Sequence, residues 1–317
     1  MSNLKKEIQM KKNLLILLLM LTMAALLIGC NGDEDYYPET ETETEVLEEG
    51  LEEEVTVDEV QPEVEDIEED GQEVEERVLV DENNIRITLT SMSSSWLGEE
   101  INVRIENDND HPITVQVRHM SINGLMIDAP VFSPTIAAGM MANDSISVMS
   151  SEIENNSIEN IGIIELQFIA FEDFFTDYIL DTDVITIETS MVNQINQTLP
   201  ENRVELFNQD GITIYHTGYS EGELGEFNVK FFIVNNTHEL VTVQAREESV
   251  NGIMIMGTMS ADIMPNKATN TTLGFFSWDL EANNIDDVET ISFYLYIFPD
   301  WDFMRDGIQT EIITLNF

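Results

Sequence analysis

The chain has 317 residues, with 62 Asp or Glu against 13 Lys or Arg and a formal net charge of -49. Phosphate backbones and anionic headgroups are held by clustered Lys and Arg, and the basic residues after Arg77 are scattered, which excludes nucleic acid and disfavours close docking on an anionic membrane surface. Cys30 is the only cysteine, so no disulfide forms within the chain and no thiol nucleophile sits in a folded pocket.

In chain order, Lys5, Lys6, Lys11 and Lys12 form a basic segment ahead of the apolar stretch Leu14 to Ile28. A basic start, a short apolar run and small residues at its end make the pattern of a secretory signal, and the run is short for a spanning helix. It closes on Leu27-Ile28-Gly29-Cys30, which resembles the lipobox of bacterial prolipoproteins. That resemblance implies a diacylglyceryl group on the Cys30 thiol and cleavage just before it. Residues 1–29 are then a signal peptide, and the mature chain is lipid-anchored on the extracellular face of the cell membrane. Acyl chains anchor stably without a spanning helix because each buried methylene contributes about 0.8 kcal/mol.

Residues 30–80 are expected to be the lipidated N-terminus and a disordered acidic tether. Runs such as Glu52-Glu53-Glu54 and Glu68-Glu69-Asp70 dominate, and Pro38, Gly50, Pro62 and Gly71 interrupt any long helix. Dense like charge with little apolar surface cannot offset chain entropy, so the stretch reads as a self-repelling spacer.

The remainder is one unit written twice, at an offset of 127 to 128 residues. Val115-Gln116-Val117-Arg118 and Ser121-Ile122-Asn123-Gly124-Leu125-Met126-Ile127 match Val243-Gln244-Ala245-Arg246 and Ser249-Val250-Asn251-Gly252-Ile253-Met254-Ile255. Leu97-Gly98 matches Leu224-Gly225, Asn107 matches Asn235, and Ile185-Thr186-Ile187 matches Ile313-Thr314-Leu315. Ile85 to Thr90, Ile101 to Ile105 and Ile113 to Val117 alternate apolar with polar residues, the period of a half-buried strand. Asn123-Gly124 and Asn251-Gly252 supply the two positive-φ positions of a type I′ hairpin turn. A short helix is expected next in each copy, with Ser151 and Ser277 as N-caps. Long apolar strands at Ile161 to Phe171 and Ile291 to Phe298 follow.

Many short strands in each copy predict an all-β fold: two tandem immunoglobulin-like β-sandwich domains after the acidic linker. The expected boundaries are 81–190 for the first repeat, 191–203 for a linker and 204–317 for the second repeat. The lipobox, the acidic linker, the Val-Gln-x-Arg strand and the Asn-Gly hairpin together resemble a group of uncharacterised Gram-positive surface lipoproteins with tandem β-sandwich ectodomains. The resemblance implies a fold and a location and transfers no activity.

Candidate chemistry is sparse. His111, His119, His216 and His238 lack metal-ligand spacing and read as polar surface or loop residues. Calcium takes loop carboxylates, and Asp108 with Asp110, Asp181 with Asp183, and Asp300 with Asp302 are the candidates, none in an EF-hand pattern. Phe174 and Trp301 stand beside acids at matched positions, as core caps or as a surface for a protein or glycan. Met126, Met254, Met256, Met259 and Met264 alternate with apolar neighbours and read as core packing rather than copper ligands. The sequence therefore predicts no cofactor and no enzyme: a non-enzymatic binding or structural module of the envelope, whose partner is an extracellular protein or glycan. The alternative is a carboxylate-dependent extracellular hydrolase.

Overall fold

Alternating apolar residues become strands along almost the whole folded part, and two short helices interrupt them among the described residues. The structure is a computed structural model that describes residues 73–128, 130–172, 178–222, 225–299 and 306–317. The expected signal peptide, Cys30 and nearly all of the acidic tether lie outside the described residues.

The first repeat contains β1 (Arg77–Glu82), β2 (Ile85–Ser94), β3 (Gly98–Asn107), β4 (Ile113–Ile122), β5 (Leu125–Met126), β6 (Thr135–Ile136) and β7 (Met140–Met149). The helix Ser150–Asn155 leads to β8 (Ile163–Phe171), β9 (Leu180–Asp181) and β10 (Ile185–Glu188). The second repeats this order with β11 (Val204–Gln209), β12 (Ile212–Glu221), β13 (Phe227–Asn235), β14 (Val241–Val250), β15 (Ile253–Met254), β16 (Ser260–Ile263) and β17 (Lys267–Phe275). The helix Ser277–Ala282, then β18 (Thr290–Pro299), β19 (Ile308–Gln309) and β20 (Ile313–Asn316), complete it.

In the first repeat β1-β2-β3-β7 form one sheet and β4, β8 and β10 lie in the other. The chain therefore crosses between sheets after β3, back after β6 and again after β7, the Greek-key order of an immunoglobulin-like sandwich. Inward residues of both sheets, among them Ile87, Ile105, Val115, Leu166 and Phe168, make the first core. The second repeat is built alike, with Ile214, Phe231, Val243, Phe275 and Phe293 in its core.

The matched asparagines and turn glycines have structural tasks. Asn123 and Gly124 take φ 52 and φ 84, and Asn251 and Gly252 take φ 52 and φ 78, as the hairpin turn requires. Asn123 Oδ1 accepts from the backbone N–H groups of Gly162 and Ile163, while its Nδ2 donates to the Asn160 carbonyl. Asn251 does the same with Glu289, Thr290 and Asp287. Asn107, fully buried, donates to the carbonyls of His111, Ile136 and Ala137. Asn235 bonds Glu239, Ile263 and Met264 in the same way.

Several expectations need correction. The first repeat starts before residue 81, because β1 runs from Arg77 and pairs with β2. Residues 191–203 are not a bare linker: Val192–Gln194 form a 3-10 turn, and Gln197 Nε2 donates to the Asn156 carbonyl at 3.0 Å. Ser151 and Ser277 lie inside the helices, whose N-caps are Met149 and Phe276 without a side-chain bond. His216 is no surface histidine: it packs against Phe231 and Phe317. Of the methionines read as core, Met126, Met259 and Met264 are buried, but Met254 and Met256 are exposed.

Candidate functional site at the repeat junction

The Asn123-Gly124 turn carries β5 past the edge of its own sheet and onto the edge of β17 in the second repeat. There the Ala268 N–H donates to the Gly124 carbonyl at 2.9 Å, and Leu125 pairs with Ala268 in parallel. This single contact merges the inner sheet of the first repeat with the outer sheet of the second into a ten-stranded sheet running β10-β8-β4-β5-β17-β13-β12-β11, with β6 and β9 beside it.

Because side chains alternate across a sheet, neighbours on β5 serve different cores. Leu125 belongs to the first core, whereas Met126, 4% exposed, packs into the second. In return Phe232 of β13 is buried in the first core, with Val234, Ala268 and Tyr215 packed against it. Lys267 forms a half-buried ion pair with Glu165, and Asn270 Nδ2 donates to Asn156 Oδ1 at 2.9 Å.

Two clefts flank the junction. One, of about 470 Å³, is lined by Arg118, His119, Gln167, Asp181, Asp183 and Glu239. The other, of about 360 Å³, is lined by Asp128, Glu152, Asn156, Ser220, Lys230 and Asn270 among others. Asp128 stands at the mouth of the second cleft, reached by solvent yet crowded by protein. Desolvation, with repulsion from Glu152 and Asp262, pushes its carboxyl up to about 6. Burial holds the His216 imidazole below its ordinary value.

Among the described residues the acidic loop candidates Asp108 with Asp110 and Asp181 with Asp183 lie at separate places. Arg118 holds Asp181 at 3.1 Å, and Arg118 also lies over the Tyr178 ring, 5.8 Å from its centroid. Asp183 lines the same cleft. Asp108 and Asp110 lie on the β3–β4 loop, where the Asp108 N–H donates to the Asn84 carbonyl at 2.8 Å. Among the described residues no three His, Cys, Asp or Glu side chains come together in a group that could hold a metal ion. Phe174, Asp300, Trp301 and Asp302, like Cys30, lie outside the described residues.

Sequence reasoning missed the junction. One signal was present: Phe232 and Val234 stand where the first copy has Arg104 and Glu106. An outward sheet face that is apolar in one copy and charged in the other marks a covered face.

No protein-family profile and no curated protein matches the chain. Among solved structures, an exo-chitosanase of Amycolatopsis orientalis aligns at 12% identity over 68% of this chain and 25% of its own, with a TM-score of 0.21. A red sea bream transglutaminase aligns at 8% identity over 72% of this chain and 29% of its own, with a TM-score of 0.18. A Salmonella enterica pilin–chaperone complex, SafA with SafB, aligns at 11% identity over 69% of this chain and 89% of the matched chain, with a TM-score of 0.19. This chain spans less than a third of the length of the first two proteins.

Proposed function

We propose that this chain is a lipoprotein displayed on the extracellular face of the cell membrane, where its repeats act as a non-enzymatic binding or structural module of the envelope. The anchor and spacer are read from the lipobox at Cys30 and the acidic stretch behind it. The observation that carries the module reading is what the two copies keep in common. Asn107 with Asn235 and Asn123 with Asn251 bond backbone in the same way, and Gln116 and Gln244 each donate to a serine hydroxyl, Ser133 and Ser260. The matched residues serve architecture, so recognition falls to surfaces and to the clefts at the junction.

The test has two arms. Cells fed a fatty-acid probe incorporate it into the wild-type chain and not into Cys30→Ser; equal labelling of both would remove the anchor. Envelope and secreted fractions are then passed over the immobilised chain with and without a calcium chelator. A protein or glycan retained in both arms supports metal-free recognition; retention lost on chelation supports calcium at the acidic loops.

A second reading, an extracellular carboxylate-dependent hydrolase, is favoured by one observation: the Asp128 carboxyl beside Glu152 in a cleft, raised toward the range of a general acid. It requires that Asp128→Asn abolish a hydrolytic activity on envelope polymers. The module reading requires that the same variant bind its partner as the wild type does.

A further inference from the structure

The junction inside the chain uses two surfaces, and the duplication makes each of them twice. The first surface is the short strand after the Asn-Gly turn: β5 in the first repeat, β15 in the second. The second is the start of the edge strand that follows: β17 in the second repeat, β7 in the first. Within the chain, β5 is seated on β17. That leaves β15 and β7 as a matching pair at opposite ends of the tandem.

Their exposure agrees. Leu125 and Met126 are each 4% exposed, whereas their counterparts Ile253 and Met254 are 40% and 67% exposed, and the nearby Met256 is 82% exposed. Met141 stands at the position of Ala268, and Met140 at that of Lys267; they are 67% and 61% exposed. Edge strands with apolar side chains and outward N–H and C=O groups are templates for pairing with another chain.

The backbone is prepared for that pairing. Gly252 takes φ 78, close to the φ 84 of Gly124, and each follows an asparagine at φ 52, so the two turns present the strands that follow them alike. Each edge strand is also capped at its far end in the same way, by the bridge Val131–Ser147 in the first repeat and Thr258–Gly274 in the second, leaving the near end for β-pairing. Asn283 Nδ2 donates to the Asp279 carbonyl as Asn156 Nδ2 donates to that of Glu152, so the Asn283 amide is held like the Asn156 amide whose oxygen accepts from Asn270, and Asn143 occupies the donor position of Asn270.

We propose that β15 of one chain docks on β7 of a second copy, Ile253 beside Met141, repeating between chains the junction that β5 and β17 make within one. The contact is heterologous, so each chain keeps one free copy of each surface and association proceeds head to tail, into a ring where the rotation closes and a filament where it does not. It is weaker than the internal junction. Arg104, Glu106 and Thr88 stand where Phe232, Val234 and Tyr215 cover the first core, and Met140 with Ser292 replaces the Lys267–Glu165 pair. Chains of net charge -49 also repel one another, and salt screens that repulsion, so association strengthens as ionic strength rises.

The test uses the full chain in detergent with Cys30→Ser, so that any disulfide must come from introduced cysteines. Paired strand positions lie within disulfide reach. Under mild oxidation, a mixture of the Met141→Cys and Ile253→Cys variants gives a dimer, and a chain carrying both gives a ladder of multimers. On a non-reducing gel each single variant alone shows no covalent dimer. By sedimentation, Met254→Glu or Met141→Glu weakens self-association of the otherwise unaltered chain at least about tenfold, the effect of some 1.4 kcal/mol. Both residues are exposed, so the substitutions leave the monomer folded. A mixture that yields only monomer, or a single variant that dimerises on its own through a symmetric contact, overturns the proposal.

Discussion

Asn107 and Asn235 are side chains whose work no local sequence pattern announces. Each is fully buried, and each gathers carbonyls from two separate loops: Asn235 bonds Glu239 close by and Ile263 and Met264 nearly thirty residues on. A leucine of similar size leaves those carbonyls and the Thr237 N–H without the asparagine as partner. An orphaned buried polar group costs about 1–3 kcal/mol, so Asn235→Leu lowers stability by at least about 2 kcal/mol in urea unfolding. The Asn-Gly turns, by contrast, were legible in the sequence, because two adjacent positive-φ positions admit few residues. Asp128 was not, since its raised pKa comes first from desolvation in the fold and then from Glu152 and Asp262, which are distant in sequence. Its folded value lies above its unfolded one, so the folded state binds the proton more tightly, and stability falls as pH rises from about 4 to about 6. Asp128→Asn removes that loss. Its unfolding free energy in urea should match wild type near pH 4 and exceed it above pH 6, by no more than about 1 kcal/mol because solvent reaches the group.

Strands are where the sequence was most readable. Period-two alternation marked β2, β3 and β4, and the repeat offset carried those assignments to β12, β13 and β14. The difference between β5 and β15 was unreadable. Leu125-Met126 and Ile253-Met254 have the same local pattern, and only the neighbouring strand tells them apart. Methionine's flexible chain suits both a core and an exposed edge, which is why Met254 and Met256 were misread as core. The contrast gives a paired experiment. Met126 fills space in the second core, so Met126→Ala should cost about 2–5 kcal/mol, the range for removing a buried large side chain. Met254→Ala, at the matched position and 67% exposed, should change the stability of the monomer by less than about 0.5 kcal/mol. Equal costs at the two positions would mean that β5 is not seated on the second repeat.

At the scale of the whole molecule, tandem repeats are usually expected to unfold one at a time, since a linker transmits little. Here a sheet continues through the junction, Met126 and Phe232 each complete the core of the other repeat, and an ion pair and an amide bond flank them. Losing either repeat exposes the apolar residues that it shelters in the other. The described part should therefore melt as one unit, with calorimetric and van't Hoff enthalpies equal. Ala268→Pro tests the coupling at its centre. Proline has no N–H for the Gly124 carbonyl, and because that N–H points away from β13, the pairing within the second repeat keeps its hydrogen bonds. The variant should melt in two steps, with the van't Hoff enthalpy falling to about half of the calorimetric value. Two steps already in the wild type would mean that the shared sheet couples the repeats too weakly to hold them as one body. The head-to-tail joint would then have no firm template within the chain.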